Sequence, residues 1–289
     1  MKYYRQHDVE ERGRIVRLDY LATDEQGARL QKYANVYLPA HYGEDPSRRY
    51  NVLYVMHGGG GSPDAWLDSC MIKNILDYSF YEDGVPGFIV VFPTYYKYGA
   101  KKDNREAMDP GYDARQIRVF QKELRASLIP AVESWFNTFA DDVTPEGLKA
   151  SRKHRAFTGF SMGGGTTWFA FMDNLDIIAD FVPLSGDCWA VEIRGGQTKP
   201  AETVEALIQA INGFGLKKDD YRIFAATGTE DIAYPNLTPQ LEEMKKYPEY
   251  FDFSEDYNKG NFHYLTEEGY EHSYPRVAEY LYNIIPYLF

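Results

Sequence analysis

Apolar and polar positions alternate through Arg14–Tyr20 and again through Tyr33–Leu38, the period-two pattern of strands with one solvated face. The two segments predict an antiparallel edge. Further along, the pattern changes. Val52–Met56, Phe88–Phe92, Ala156–Phe160, Phe181–Leu184 and Ile223–Ala226 are continuous apolar runs, which suit central parallel strands buried on both faces. Asn261–Leu265 is a candidate last strand. Helical segments lie between the runs. The clearest one places Ile117, Phe120, Leu124, Leu128, Val132 and Trp135 or Phe136 on a single stripe. Thr166–Met172 can form another helix, and an aromatic-rich helix is expected over Tyr274–Tyr287, its apolar residues docked on the sheet. Strands that alternate with helices imply right-handed βαβ units. The expected fold is α/β, a mostly parallel central sheet flanked by helices on both faces, with antiparallel N-terminal edge strands.

Neither a Pro/Gly/Ser-rich linker nor an internal repeat divides the 289 residues, so one domain over 1–289 is expected. Asp+Glu 43 against Lys+Arg 31 gives a net charge of −12. Such a chain repels phosphate backbones and anionic bilayers, which argues against nucleic-acid and membrane partners. The sequence has no run of ~18 uncharged apolar residues of the kind that spans a bilayer. Cys70 and Cys188 form neither a disulfide framework nor a metal-type spacing. Met1–Asp8 is polar and lacks the apolar stretch of a signal peptide, so a cytoplasmic location is expected, or a secreted one if a leader has been removed. The 25 tyrosines supply flat apolar faces with polar tips, which suit sugars and phenolic rings but equally a plain surface.

Chemistry enters at Gly159-Phe160-Ser161-Met162-Gly163, a Gly-x-Ser-x-Gly pattern placed between an expected strand and an expected helix. That context marks a nucleophile elbow, in which a sharp turn projects the Ser161 hydroxyl above the sheet. His57-Gly58-Gly59-Gly60-Gly61 follows the Val52–Met56 run directly. A glycine run lets backbone amides approach a developing oxyanion, and the donors expected are Met162 with Gly59 or Gly60. With no Gly-Lys-Ser/Thr after it, the run does not read as a phosphate loop. His57 itself is expected to order this loop. A serine needs a base held by an acid. In the chain order Ser, acid, His, only His263 and His272 of the six histidines follow Ser161. His272 is preferred, because it sits in a loop past the candidate last strand, where such folds carry function. For the acid, Glu230 and Asp231 both follow the Ile223–Ala226 run and position separates them poorly; Asp231 is the choice. Asp187 is a third candidate that could instead line the pocket.

With these residues in place, the sequence resembles the feruloyl esterases of the first carbohydrate esterase family, α/β-hydrolases that cut ferulate esters from plant arabinoxylan. The resemblance runs from about Val52 to the C-terminus. It is carried by Ala150–Arg155, Gly159–Gly164, Pro183–Trp189, Ala226–Tyr234, Lys259–Phe262 and Ile285–Phe289. It implies Ser161 as nucleophile, Asp231 as acid and His272 as base, and it puts Trp189 near the phenolic ring. Where the family often has Trp after the histidine, this chain has Ser273-Tyr274. Loops after the parallel strands border one crevice, and Thr94–Tyr98 and Cys188–Trp189 offer aromatic walls for a planar cinnamoyl group, with Tyr95, Tyr96, Asp187 and Trp189 as candidate contacts. The implied reaction is hydrolysis of feruloyl esters of arabinoxylan or its oligosaccharides through an acyl-enzyme, with no metal or organic cofactor. The alternatives are another acyl enzyme on this scaffold (an acetyl xylan esterase, an S-formylglutathione hydrolase-like thioesterase, a mycolyltransferase) or a catalytically silent carbohydrate-binding relative.

Overall fold

The computed structural model describes residues 9–24, 26–97 and 111–289. Among the described residues, eight strands form one sheet: β1 (Arg14–Thr23), β2 (Arg29–Leu38), β3 (Val52–Met56), β4 (Ile89–Phe92), β5 (Arg155–Phe160), β6 (Asp180–Leu184), β7 (Arg222–Gly228) and β8 (Phe262–Glu267). Their spatial order is β1-β2-β4-β3-β5-β6-β7-β8. β1 and β2 pair antiparallel, as do β2 and β4, and every pairing from β4 to β8 is parallel. This is the α/β-hydrolase arrangement expected from the sequence. One detail differs. β1 is the edge and alternates buried Leu18, Tyr20 and Ala22 with exposed neighbours, but β2 is buried on both faces from Ala34 to Leu38, because β4 covers its other side.

The helices are α1 (Ala65–Cys70), α2 (Ile72–Tyr81), α3 (Tyr112–Glu123), α4 (Ile129–Trp135), α5 (Pro145–Ala150), α6 (Met162–Asn174), α7 (Gly195–Thr198), α8 (Pro200–Phe214), α9 (Tyr234–Met244) and α10 (Tyr274–Ile284). They cover both faces, so the sheet separates two cores. Val52, Tyr54 and Met56 of β3 face one core with the buried stripe of α3 and α4. Leu53 and Val55 face the other, with Trp66 of α1, Ile72, Ile75 and Leu76 of α2, and Val277 and Leu281 of α10.

The long helical stripe is not uniform. Residues 120, 124, 128 and 132 are spaced by four, and an α-helix drifts about 40° per such step. A π-helical segment, Leu124–Leu128, joins α3 to α4 and keeps all of them buried. It also precedes Pro130, which has no amide to donate to an α-helical ladder. Past this point Phe136 packs against the core and Trp135 faces solvent, 74% exposed.

The parallel register aligns the strand ends that matter. Met56 lies opposite Gly159, Phe160 opposite Leu184, Leu184 opposite Ala226, and Gly228 opposite Glu267. The loops that follow these strands therefore open on one edge of the sheet, where α/β folds bind ligands. At the opposite end of β5, Arg155 is buried against Glu133 of α4. It also donates to the carbonyls of Leu148 (2.6 Å) and Ile177 (3.0 Å) and to Ser151 Oγ (2.6 Å). Replacing Arg155 with Met strands the Glu133 charge in the interior. We expect the Arg155→Met protein to lose about 3–5 kcal/mol of stability in urea unfolding, whereas an unchanged midpoint would mean that the pair does not hold α4 to the sheet.

Candidate active site

Ser161 joins β5 to α6 at φ 59° and ψ −117°, a backbone conformation that costs a non-glycine residue energy. The flanking glycines make the turn possible. A Cβ at position 159 would lie 2.5 Å from the Gly163 backbone, and one at position 163 would lie 2.6 Å from the Met56 carbonyl oxygen. The elbow is fixed by Ser161 N–H donating to Leu184 O at 3.0 Å and Gly165 N–H donating to Ser161 O at 3.0 Å. The serine then stands at the N-terminus of α6, whose first amide is that of Met162.

The Ser161 hydroxyl donates to His272 Nε2 at 2.8 Å, and His272 Nδ1–H donates to Asp231 Oδ1 at 2.6 Å. The carboxylate on the Nδ1 side sets the tautomer that leaves Nε2 free to accept. Asp231 is buried and also accepts from the Ala233 amide at 2.7 Å. Two loops meet to bring Asp231 and His272 together. Thr229 N–H donates to Glu267 O, Glu230 N–H to Tyr270 O, and Gly269 N–H to Thr229 Oγ1. In this zipper the Glu230 side chain points to solvent, and only Asp231 reaches the histidine. The His272 ring packs on Phe160, with centroids 4.5 Å apart, and Phe160 packs in turn on Tyr274. His263 lies elsewhere, on β8, with Nδ1 on the Ser254 carbonyl at 2.9 Å.

The glycine loop is pinned from several sides. Gly58 O accepts from His57 Nδ1 (2.7 Å), the Tyr95 hydroxyl (2.8 Å) and Gly61 N–H (3.1 Å). Gly58 N–H donates to the Tyr274 hydroxyl at 3.0 Å, and Gly60 N–H to the Tyr96 hydroxyl at 2.8 Å. Gly59 is left between two occupied amides, and its own N–H meets no partner among the described residues. Of the two candidate glycine donors, Gly60 already gives its amide to Tyr96, and Gly59 does not.

Tyr95 and Tyr96 require a correction. Both are buried, and their hydroxyls hold the glycine loop rather than walling the cleft. Tyr98, the other aromatic of that loop, is outside the described residues. His57 orders the loop as expected. Its Nε2 accepts from Thr94 Oγ1 at 2.8 Å, the Thr94 carbonyl accepts from Lys32 Nζ at 2.7 Å, and Lys32 pairs with Glu123 at 2.8 Å, all of them buried. Burial pushes His57 down to about 4, so it is neutral at pH 7.

A cleft of about 140 Å³ opens over Ser161 and His272, lined also by Asp187, Trp189, Ser185, Arg194, Ile232 and Asn236. Trp189 is half-buried. Its indole N–H donates to Asp187 Oδ1 at 3.0 Å, and Asp187 Oδ2 accepts from Gly196 N–H at 3.0 Å. Burial pushes the Asp187 carboxyl above its usual range, against the pull of those two donors. Asp187 therefore braces Trp189, and it is Asp231 that meets the histidine. Sequence reasoning missed Tyr274, Ser185, Arg194, Ile232 and Asn236. The first was signalled only by its place two residues after His272, and the others by their nearness to Gly186 and Asp231. Among the described residues, no cluster of three His, Cys, Asp or Glu could hold a metal ion, and no helix is long and apolar enough to cross a membrane.

A strained serine, an imidazole and a buried carboxylate at the strand ends of this sheet define an α/β-hydrolase-type site. The chain belongs to the esterase family described as "Putative esterase", whose model matches residues 31–213. It is 40% identical over 278 residues to endo-1,4-beta-xylanase Y of Acetivibrio thermocellus, which covers 96% of this chain and 23% of that protein. It is also similar to the feruloyl esterase module of Clostridium thermocellum, solved as a serine-to-alanine mutant with sinapinate. That match has 38% identity and a TM-score of 0.83, over 98% of this chain and 90% of that one. A ferulic acid esterase of Anaeromyces mucronatus, solved with ferulic acid, shares the fold at 18% identity and a TM-score of 0.68, over 98% of this chain and 93% of that one. The chain spans about a quarter of the length of the curated relatives it matches.

Two measurements check the loop support. Thr94→Val leaves His57 Nε2 buried without a donor, and we expect about 1–3 kcal/mol lower stability. Ester turnover should fall mainly in kcat, by roughly tenfold to a hundredfold, as Gly59 loses its fixed direction. The folded His57 is harder to protonate than the unfolded one. Its contribution to stability is therefore complete above about pH 6.5 and lost as pH falls toward about 4. In a His57→Asn protein, the urea midpoint should show a shallower decline across that window.

Proposed function

We propose that the chain is a serine esterase that hydrolyses hydroxycinnamoyl esters, such as the feruloyl esters of plant arabinoxylan and its oligosaccharides. The observation that carries this reading is the continuous hydrogen-bonded path from Ser161 through His272 to Asp231, opening on a cleft with Trp189 on its wall. The similarity to modules named as feruloyl esterases, one with bound sinapinate, supports the acyl class.

In this scheme His272 Nε2 takes the Ser161 proton as Oγ attacks the ester carbonyl carbon. Asp231 holds the ring and stabilises the imidazolium. The carbonyl oxygen, now negative, accepts from the Met162 and Gly59 amides, which are fixed before substrate arrives. The tetrahedral adduct collapses as His272 returns the proton to the leaving sugar oxygen, and the acyl group stays on Ser161. Water, deprotonated by His272, then attacks the acyl carbon; the Ser161–acyl bond breaks as His272 returns that proton to Ser161 Oγ, and the free acid leaves. Trp189, braced by Asp187, offers a flat apolar face to the cinnamoyl ring, and exposed Ile232 extends it.

Hydrolysis of methyl ferulate beside p-nitrophenyl acetate tests the reading. Ser161→Ala should lower kcat/KM for methyl ferulate by roughly 10⁴-fold or more, and Asp231→Asn by roughly 10³–10⁴-fold. Glu230→Gln should leave it within about twofold, as for a surface change away from the relay. Acetate turnover without ferulate turnover would move the enzyme to another acyl class, and full activity in Ser161→Ala would remove the mechanism.

A further inference from the structure

A second cavity, of about 410 Å³, shares no lining residue with the Ser161 cleft. It is lined by residues 263–267 of β8 in unbroken succession. Neighbouring strand residues point to opposite faces, so five consecutive lining residues mean that the cavity runs along the free edge of β8, the last strand of the sheet. Its aromatic side is Tyr257 and Tyr287, whose rings stack with centroids 4.3 Å apart and 14° between planes. Tyr287 is 38% exposed. Polar groups stand around this pair: the Glu255 and Glu267 carboxylates, the Asn283 amide and His263. His263 is 1% exposed, and its Nε2 has no partner among the described residues.

A flat aromatic face beside carboxylates and an amide matches the chemistry of a neutral sugar ring. The apolar C–H face packs on the ring, and the hydroxyls donate to carboxylates. With no lysine or arginine among its lining residues and two carboxylates present, the cavity offers nothing to an anionic sugar. We propose that the β8 edge is a second carbohydrate-binding site, one that holds a neutral xylose- or arabinose-type unit of the polysaccharide whose ester is cut at Ser161. The choice of polysaccharide rests on the function proposed above. The chain from Glu267 to His272 spans at most about 18 Å, so one polymer strand can reach both sites.

Electrophoresis of the native protein through gels containing de-esterified arabinoxylan tests the site. The wild type should be retarded. Tyr287→Ala should bind roughly tenfold more weakly, an effect of about 1.4 kcal/mol, while its kcat/KM for methyl ferulate stays unchanged. Glu255→Ala, at an exposed loop position, gives a second variant whose fold is not in question, and it should also lose retardation. Polygalacturonate in place of arabinoxylan should not retard the protein. Equal retardation of the wild type and both variants would assign binding to the Ser161 cleft and overturn the second site, as would no retardation at all. Retardation by polygalacturonate would overturn the neutral-sugar assignment. A protein retarded through Tyr287 but inactive on methyl ferulate would uphold the site while removing the acyl reading.

Discussion

The approach of two backbones at the top of the sheet controls the rest of the site. Position 163 has no Cβ, and one placed there would lie 2.6 Å and 2.7 Å from the carbonyl oxygens of Met56 and His57. Because that space is empty, the start of α6 can lie directly against the end of β3. The serine, the first amide of its helix and the glycine loop then share one small volume. A methyl group at 163 would push α6 away and separate Ser161 and the Met162 amide from the glycine loop, whatever the side chains around them.

Holding a glycine loop in place is a separate problem, since glycines carry no side chains to pack. The structure solves it with buried polar groups. Three donors meet on the Gly58 carbonyl, and two tyrosine hydroxyls take the amides on either side of Gly59. Behind them Thr94 links neutral His57 to the Lys32–Glu123 pair. Buried ions are stabilising only when their partners are complete, and here Glu123 also accepts from the Tyr20 hydroxyl at 2.7 Å. Strand β2, helix α3 and the glycine loop are thereby tied into one polar network. Such preorganisation lets a backbone amide stabilise charge with little reorganisation.

Asp231 follows the same logic of burial. Glu230 and Asp231 are chemically alike and adjacent, yet the paired turns after β7 and β8 turn one to solvent and the other to His272. The cleft itself is less enclosed. Trp189 is braced by Asp187, while Ile232 stands 70% exposed and Val191 and Ile193 are exposed on the loop after Trp189. Apolar groups at such a rim suit a planar aromatic acyl group with a large polar leaving group held outside.

Much of this was legible in the chain. The continuous apolar runs mark β3 to β7 because strands buried on both faces leave no polar register. The Gly-x-Ser-x-Gly pattern marks the elbow because only glycine fits the backbone approaches on either side of Ser161. Chain order left His263 and His272 as the only histidines after the serine, and the loop position of His272 favoured it. Tertiary structure decided what depends on partners distant in sequence. Tyr95 and Tyr96 read as pocket walls, but whether a tyrosine presents its face to a ligand or its hydroxyl to a backbone amide is set by residues some 36 positions away. Tyr96 occupies the Gly60 amide and leaves that of Gly59 open, and the register of two loops puts Asp231 rather than Glu230 on His272. The π-helical turn at Leu124–Leu128 was hidden, because spacing by four reads as a helical stripe whether or not the helix widens. Periodicity and local sterics act within a few residues and can be read from order alone. Hydrogen-bond partners across the sheet are fixed only when the strands align.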